Sequence, residues 1–351
     1  MHPSPQTQTC PRNHRLAALT LSFVTIFPAL AVAAPSGAQT RSSAPTAPTS
    51  ATTSATTSAP KPTQKSRSKL PVVVRSLTRE GSVLIEVTDA SRIVALNGDV
   101  NEVLYALGLG DNVVANDITG YYPPESASKP KIGYQRTLSA EAILSQRPTL
   151  VIGNEDAGPP AVITQLRNAG VAVVIIPSGT DVADAGKKIR LIANAVGLGL
   201  EGDRLATRTE QSVKAVQRRW LSSTRRFQPR AVFLYLRGPR TLLLGGSDTR
   251  ANAMLTAAGA TDAGAFFADV TGYVPITSEA LVKARPDVIV VLTEGLKSVG
   301  GVEGVLKIPG VALTPAGQNK RVIDLDDLLM LEIGPRTPEA LDLLIAELYD
   351  K

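Results

Sequence analysis

Two short segments carry side chains whose spacing suits binding chemistry: Gly133-Tyr-Gln-Arg136 and Tyr235-Leu-Arg237. Each sets a phenol two residues from a guanidinium. A phenolate is a hard oxygen ligand for ferric iron. Free tyrosine ionises only near pH ~10, so a nearby cation that favours the charged form belongs to the requirement. Arginine is also a strong partner for carboxylates. On the residues alone Tyr134 has a second account, an exposed turn tyrosine packed on a neighbouring loop. For Tyr235 and Arg237, strand alternation puts both on one face, and the second account is a cross-strand pair at a sheet end. Tyr273 falls at the position of Tyr134 in an internal repeat, but Pro275 stands where the arginine would be; a stacking wall suits it better than a ligand.

The rest of the composition narrows the field. The only cysteine is Cys10 and the only histidines are His2 and His14. From residue 15 onward there is no thiol and no imidazole. That excludes structural disulfides, Cys/His zinc sites, Ser–His–Asp triads and cysteine nucleophiles from the body of the chain. Met254 and Met330 lie in apolar helical runs and read as core. Of the seven tyrosines, Tyr105 and Tyr349 fall inside helices and read as structural; Tyr121, Tyr122, Tyr134, Tyr235 and Tyr273 fall in loops or at strand ends. Two glycine-containing loops, residues 107–112 and 242–248, lack the spacing of a phosphate-binding loop.

The chain has 351 residues, 43% of them apolar, and a formal charge of +6. Residues 1–69 hold seven basic and no acidic residues, which leaves 30 basic against 31 acidic in residues 70–351. The globular part is therefore close to neutral, and nucleic-acid binding through a basic face is not expected. Arg12 and Arg15 precede the apolar run Leu16–Leu30 and a small-residue site ending at Ala33, the pattern of a signal peptide over residues 1–33. Cys10 precedes that run, so no lipoprotein cysteine is evident. The Ser/Thr/Pro-rich residues 34–69 read as a disordered tether.

The body alternates short β-branched runs with helical patterns. Strands are expected at Ser91–Leu96, Leu150–Gly153, Val171–Ile176, Ala231–Leu236, Asp287–Leu292 and Arg321–Leu325, and helices at Asn101–Leu107, Met254–Ala258, Glu279–Ala284 and Pro338–Leu348. This is the α/β class with mostly parallel sheets. Residues 133–152 and 272–290 repeat one pattern: Gly-Tyr, a turn, a hydroxyl residue, Glu, and an Arg-Pro pair before an apolar strand. The chain thus reads as two similar lobes, 70–180 and 227–351, joined by helices over 181–226 that break at Gly197-Leu-Gly199, with a ligand cleft between the lobes. Glu141 and Glu279 open matching helices of the two lobes. A glutamate in a first helical turn is already favoured by the helix dipole, but its repetition suggests a paired surface role.

Segments 97–123, 130–148 and 272–296, with Gly301–Leu331 and Gly334–Leu341, resemble the substrate-binding proteins of bacterial haem ABC importers, within the helix-linked class that also serves vitamin B12 and siderophores. The resemblance implies an exported, non-enzymatic, monomeric protein in the periplasm or on the exterior of the cell envelope. It would capture haem as a transported ligand, with no catalytic cofactor, and hand it to a transmembrane permease and its ATPase. In that family the tyrosine of the Gly-Tyr-x-Arg motif ligates iron, which makes Tyr134 the expected ligand with Arg136 beside it. A Tyr-x-Arg in the second lobe grips haem in some members, which implicates Tyr235, Arg237 and the neighbouring Tyr273; Tyr235 is the candidate second iron ligand, since no second-lobe histidine exists here. One glutamate per lobe docks on the permease, which implicates Glu141 and Glu279. A corrinoid or ferric siderophore on the same scaffold is the alternative ligand, and a non-transport envelope protein the alternative role.

Overall fold

The computed structural model of the chain describes residues 68–224 and 228–349. The signal peptide expected at 1–33 lies outside them, as does the tether expected at 34–69 except for its last two residues. No helix among the described residues is long and apolar enough to cross a membrane.

The chain begins with a hairpin, β1 (Val72–Thr78) and β2 (Gly81–Val87), paired antiparallel. The first lobe is then built on β3 (Ile93–Ala95), β4 (Val113–Asn116), β5 (Leu150–Asn154) and β6 (Ala172–Ile176), all parallel, in the order β4-β3-β5-β6. Helices α1 (Gly98–Ala106), α2 (Ala140–Leu144) and α3 (Pro160–Asn168) connect them. Alternation assigns each strand residue to one of two cores. Ile93, Ala95, Leu150, Ile152, Val174 and Ile176 enter one cluster; Val94, Leu96, Val151, Val173 and Ile175 enter the other. Burial on both faces is why these strands read as unbroken apolar runs.

The second lobe repeats the scheme with an added edge. β7 (Arg230–Arg237), β11 (Val288–Leu292) and β12 (Val322–Leu325) are parallel, and the short β9 (Thr261–Asp262) also pairs parallel with β7. β8 (Thr241–Gly245) and β10 (Tyr273–Pro275) extend the sheet antiparallel, giving the order β10-β8-β7-β11-β12. The parallel expectation therefore holds for the first lobe and for the centre of the second, while a hairpin and its partner close the edge. In both halves of the internal repeat a hydroxyl N-cap starts the helix: Ser139 Oγ accepts from the Ala142 amide and Thr277 Oγ1 from the Ala280 amide. In both, the arginine before proline adopts a left-handed conformation, φ 49° at Arg147 and 46° at Arg285. The shared Arg-Pro is thus the element that stops each helix and turns the chain into β5 or β11.

Between the lobes run α4 (Asp184–Ala195) and α5 (Gly199–Thr224), separated at Gly197, whose φ is 70°. The 26 residues of α5 span about 39 Å at 1.5 Å per residue. Its buried stripe follows helical spacing. Leu205 and Ala206 pack on the first-lobe core, and Val213, Val216 and Trp220 on the second.

Two buried acids fix the ground beneath the site. Asp99 in α1 and Lys188 in α4 are fully buried and paired, and Asn154 Nδ2 donates to the Asp99 carboxylate at 3.2 Å. Burial alone would raise the Asp99 carboxyl, but the Lys188 charge and hydrogen bond bring it below its ordinary value. Lys188→Met leaves this carboxylate buried without its cation and should cost about 3–5 kcal/mol in urea unfolding followed by Trp220 fluorescence. Adding Asp99→Asn should recover more than half of that loss; an unchanged midpoint in the single variant would contradict the pairing.

Asp117, just past β4, is the opposite case. Thr119 Oγ1 donates to its Oδ1 at 2.7 Å, while Oδ2 is sealed off with no hydrogen-bond partner among the described residues. Burial pushes its pKa up to about 7, against the pull of Thr119. A raised folded-state pKa means stability is full below the unfolded value near ~4 and is lost as pH rises through about 7. Unfolding free energies measured from pH 4 to 8 should therefore decline, by on the order of 1 kcal/mol per pH unit at the steepest, and level off above about 7. Asp117→Asn should flatten that decline; a parallel curve would assign the decline to another group.

Candidate functional site

Parallel strands buried on both faces leave polar side chains room at their carboxyl ends, where ligands of open α/β sheets bind. Asp117 follows β4, Asp156 follows β5 and Ser178 follows β6; Arg237 ends β7 and Asp326 and Asp327 follow β12. The strand order reverses between β3 and β5, and Asp156 stands beside that switch point.

Tyr134 sits in the loop between β4 and α2. Gly133, at φ 102°, accepts from the Ile118 amide at 2.9 Å, and the Gly158 amide donates to the Gln135 carbonyl at 2.8 Å. Asn97 Nδ2 donates to the Gln135 side chain. Buried Ile132 and Gln135 thus pin the loop on both sides of a half-buried Tyr134. The glycine is required because its φ is one that L side chains rarely adopt. Arg136 is exposed and donates from Nη2 to Asp156 Oδ1 at 2.9 Å. The other carboxylate oxygen, Oδ2, accepts from Ser178 Oγ at 2.9 Å and from Nη2 of Arg250, a second-lobe residue, at 2.5 Å. Arg250 Nε also donates to the Gly179 carbonyl at 3.2 Å. Burial opposes ionisation of Asp156, but the Arg250 charge, Ser178 and Arg136 together hold its carboxyl below the ordinary range.

In the second lobe the Arg237 guanidinium lies 4.9 Å from the centre of the Tyr235 ring and pairs with Asp327. The same-face expectation for these two residues matches this contact. Tyr273 packs at 5.9 Å and 58° against Tyr235, and at 6.3 Å and 65° against Phe233. A Cβ at Gly245 would come within 3.3 Å of the Phe233 and Tyr273 rings, so its absence lets these two pack closely over the strand. Although Tyr273 is 41% exposed overall, its hydroxyl is desolvated, and its pKa is pushed up to about 12. Arg250 and Arg136 both act on that hydroxyl electrostatically, in the opposite direction. The fold thus brings Arg136, Asp156, Arg250 and Tyr273 into one neighbourhood, with Tyr235 and Arg237 joined to it through Tyr273.

Three cross-lobe contacts were not anticipated from sequence. Tyr121 donates its hydroxyl to Asp326 Oδ2 at 2.9 Å and accepts from the Leu328 amide at 3.3 Å. Arg336 lies 3.5 Å from the centre of the Tyr122 ring and pairs with Glu102. Arg250 reaches Asp156 across 94 positions of sequence. Asp156 had a usable signal, an acid two residues past a buried strand; Arg250, inside an ordinary capped helix, had none. Tyr105 and Tyr349 stay with the core, and both methionines are buried, as expected.

Glu141 and Glu279 are exposed. Each is the second residue of its helix, after the N-caps Ser139 and Thr277, and neither forms an ion pair with a described residue.

Residues 93–329 match the periplasmic binding protein family. Among curated relatives, the uncharacterised ABC transporter substrate-binding lipoprotein YvrC of Bacillus subtilis is 30% identical over 295 residues, 83% of this chain and 91% of that protein. A vitamin B12-binding protein of Vibrio cholerae is 33% identical over 92 residues, 26% of this chain and 33% of that protein. Among solved structures, the periplasmic heme-binding protein RhuT of Roseiflexus sp. RS-1 is 45% identical with a TM-score of 0.72, covering 75% of this chain and 99% of that one. The heme-binding protein HmuT is 36% identical with a TM-score of 0.75, covering 81% and 92%. Two α/β lobes with their polar residues gathered at facing strand ends, and a family match over most of the folded body, lead to one assignment: the chain belongs to the periplasmic binding protein family.

Proposed function

We propose that this protein binds haem between its lobes and delivers it to the permease of an ABC importer, acting outside the cytoplasmic membrane as a binding protein and not as an enzyme. The observation that carries the reading is the presence of one Tyr-x-Arg in each lobe of a body without histidine or cysteine, on a scaffold 45% identical to a heme-binding protein. Tyr134 supplies the phenolate for ferric iron and Arg136 takes a haem carboxylate. Tyr235 and Arg237 grip the macrocycle from the second lobe, with Tyr235 as the candidate second axial ligand. Tyr273, whose phenol resists ionisation, serves as a stacking wall. The chain works as a monomer and needs no catalytic cofactor.

A corrinoid is the second reading, favoured by the match to the vitamin B12-binding protein. Against it, the single tryptophan, Trp220, is committed to the second-lobe core and donates to Asp342 at 2.6 Å, so no indole is left for an aromatic-rich corrinoid cleft.

Tyr134→Phe keeps the ring and removes the phenolate. It should abolish a tyrosinate-type charge-transfer band of the hemin complex and weaken hemin binding at least about tenfold. A spectrum and affinity equal to the unaltered protein would remove Tyr134 from the iron.

Glu141 and Glu279 are the proposed docking pair for the permease. Complementary charge at such a contact sets register and encounter rate, and exposed pairs are screened beyond ~8 Å at physiological salt. Glu141→Arg with Glu279→Arg should leave hemin affinity intact and abolish uptake into vesicles holding the cognate permease, with partial loss for each single reversal. Normal uptake by the double variant would rule out this docking mode.

A further inference from the structure

Two guanidiniums meet at the Asp156 carboxylate, and they differ in how firmly they are held. Asp156 and Arg250 are 19% and 17% exposed and pair at 2.5 Å, supported by the Ser178 hydroxyl and the Gly179 carbonyl. Arg136 is 56% exposed and pairs with the same carboxylate at 2.9 Å. An exposed ion pair contributes little, whereas a largely buried, multiply hydrogen-bonded one resists separation more strongly. The contact that yields first is the one to Arg136. Arg250 and Ser178 can satisfy the Asp156 carboxylate without it.

We propose that Asp156 is a built-in competitor for Arg136 and that Arg250, reaching across from the second lobe, sets how strongly it competes, which makes Arg250 a positioning residue for carboxylate-bearing ligands. The proposal rests on the haem reading for the identity of the ligand, and on the three-way ion pair for its mechanism. With Arg250 in place, a ligand carboxylate can displace Asp156 from Arg136 while Asp156 keeps a cation. Without Arg250, Asp156 has only Arg136, and the arginine is withheld from the ligand. No bond is made or broken; one anion replaces another at a guanidinium. The same contact ties the carboxylate subsite of the first lobe to the second lobe, so both lobes must be correctly placed for Arg136 to be available.

The test uses the whole exported chain and two probes, hemin and hemin dimethyl ester, whose carboxylates are masked. Arg250→Gln should weaken hemin binding about tenfold and leave the ester nearly unaffected. Asp156→Asn should bind hemin at least as tightly as the unaltered protein. The double variant should bind like Asp156→Asn alone, because Arg250 matters only while the competing carboxylate is present. Equal weakening by Arg250→Gln with and without the Asp156 carboxylate would reduce Arg250 to a general field effect and overturn the proposal. A second readout needs no haem: phenylglyoxal should modify Arg136, followed by peptide mass spectrometry, faster in Asp156→Asn and more slowly in Arg250→Gln. If Arg250→Gln does not fold, Asp156→Asn decides alone, and an Arg136 rate and hemin-to-ester preference equal to the unaltered protein would overturn the proposal. Unaltered protein that leaves hemin unbound overturns the haem reading instead, and the Arg136 modification rates still decide the counter-ion's role.

Discussion

The runs Leu150–Ile152 and Val288–Leu292 offer no polar side chain to either face of their sheets, and both faces are covered. This constraint fixes where chemistry can occur. Groups that can recognise a ligand are therefore pushed to the carboxyl ends of the parallel strands and to the antiparallel edge of the second sheet. Asn154 is the last residue of β5 and Asp156 follows it, Arg237 closes β7, and Tyr235 and Tyr273 stand where β7, β8 and β10 form the edge. Stability and recognition are thereby assigned to different stretches of the same strand, a few residues apart.

The cost of placing charge at those ends is met by pairing. Lys188 answers Asp99, Arg250 answers Asp156, Arg336 answers Glu102 and Arg237 answers Asp327. Glu332 stands near Asp99 with Oε2 enclosed and without a hydrogen-bond partner among the described residues; burial and the Asp99 charge raise its pKa well above the ordinary carboxylate value. Most of these pairs join different elements, and three of them join the first lobe to the second or to the linking helices.

The fold was legible in the sequence where a single local pattern determined the outcome. Runs buried on both faces named six of the parallel strands but not the short β4 and β9, and Gly197-Leu-Gly199 marked the break between α4 and α5. The repeated Arg-Pro marked matching corners of two lobes. The hairpin Val72–Val87 was missed because it alternates between half-covered and open positions and never forms a continuous apolar run. The edge strands were missed because they are set by pairing rather than by a local run: β8 folds back on β7 through a short turn, and the three-residue β10 pairs with β8, Tyr273 opposite Gly245. Tyr134, Arg136, Tyr235, Arg237 and Tyr273 could be nominated from residue type and spacing. What Arg136 does with its charge could not, since Asp156 and Arg250 are brought to it by topology and by no local motif.

The seating of α5 in both cores has a mechanical consequence. A helix held at Leu205 and Ala206 by one lobe, and at Val213, Val216 and Trp220 by the other, behaves as a beam clamped at two supports. Swinging the lobes apart would require bending the beam or pulling one support out of its core, and both are stiff modes. Relative movement of the lobes is therefore confined, among the described residues, to small twists and side-chain exchange at the rim.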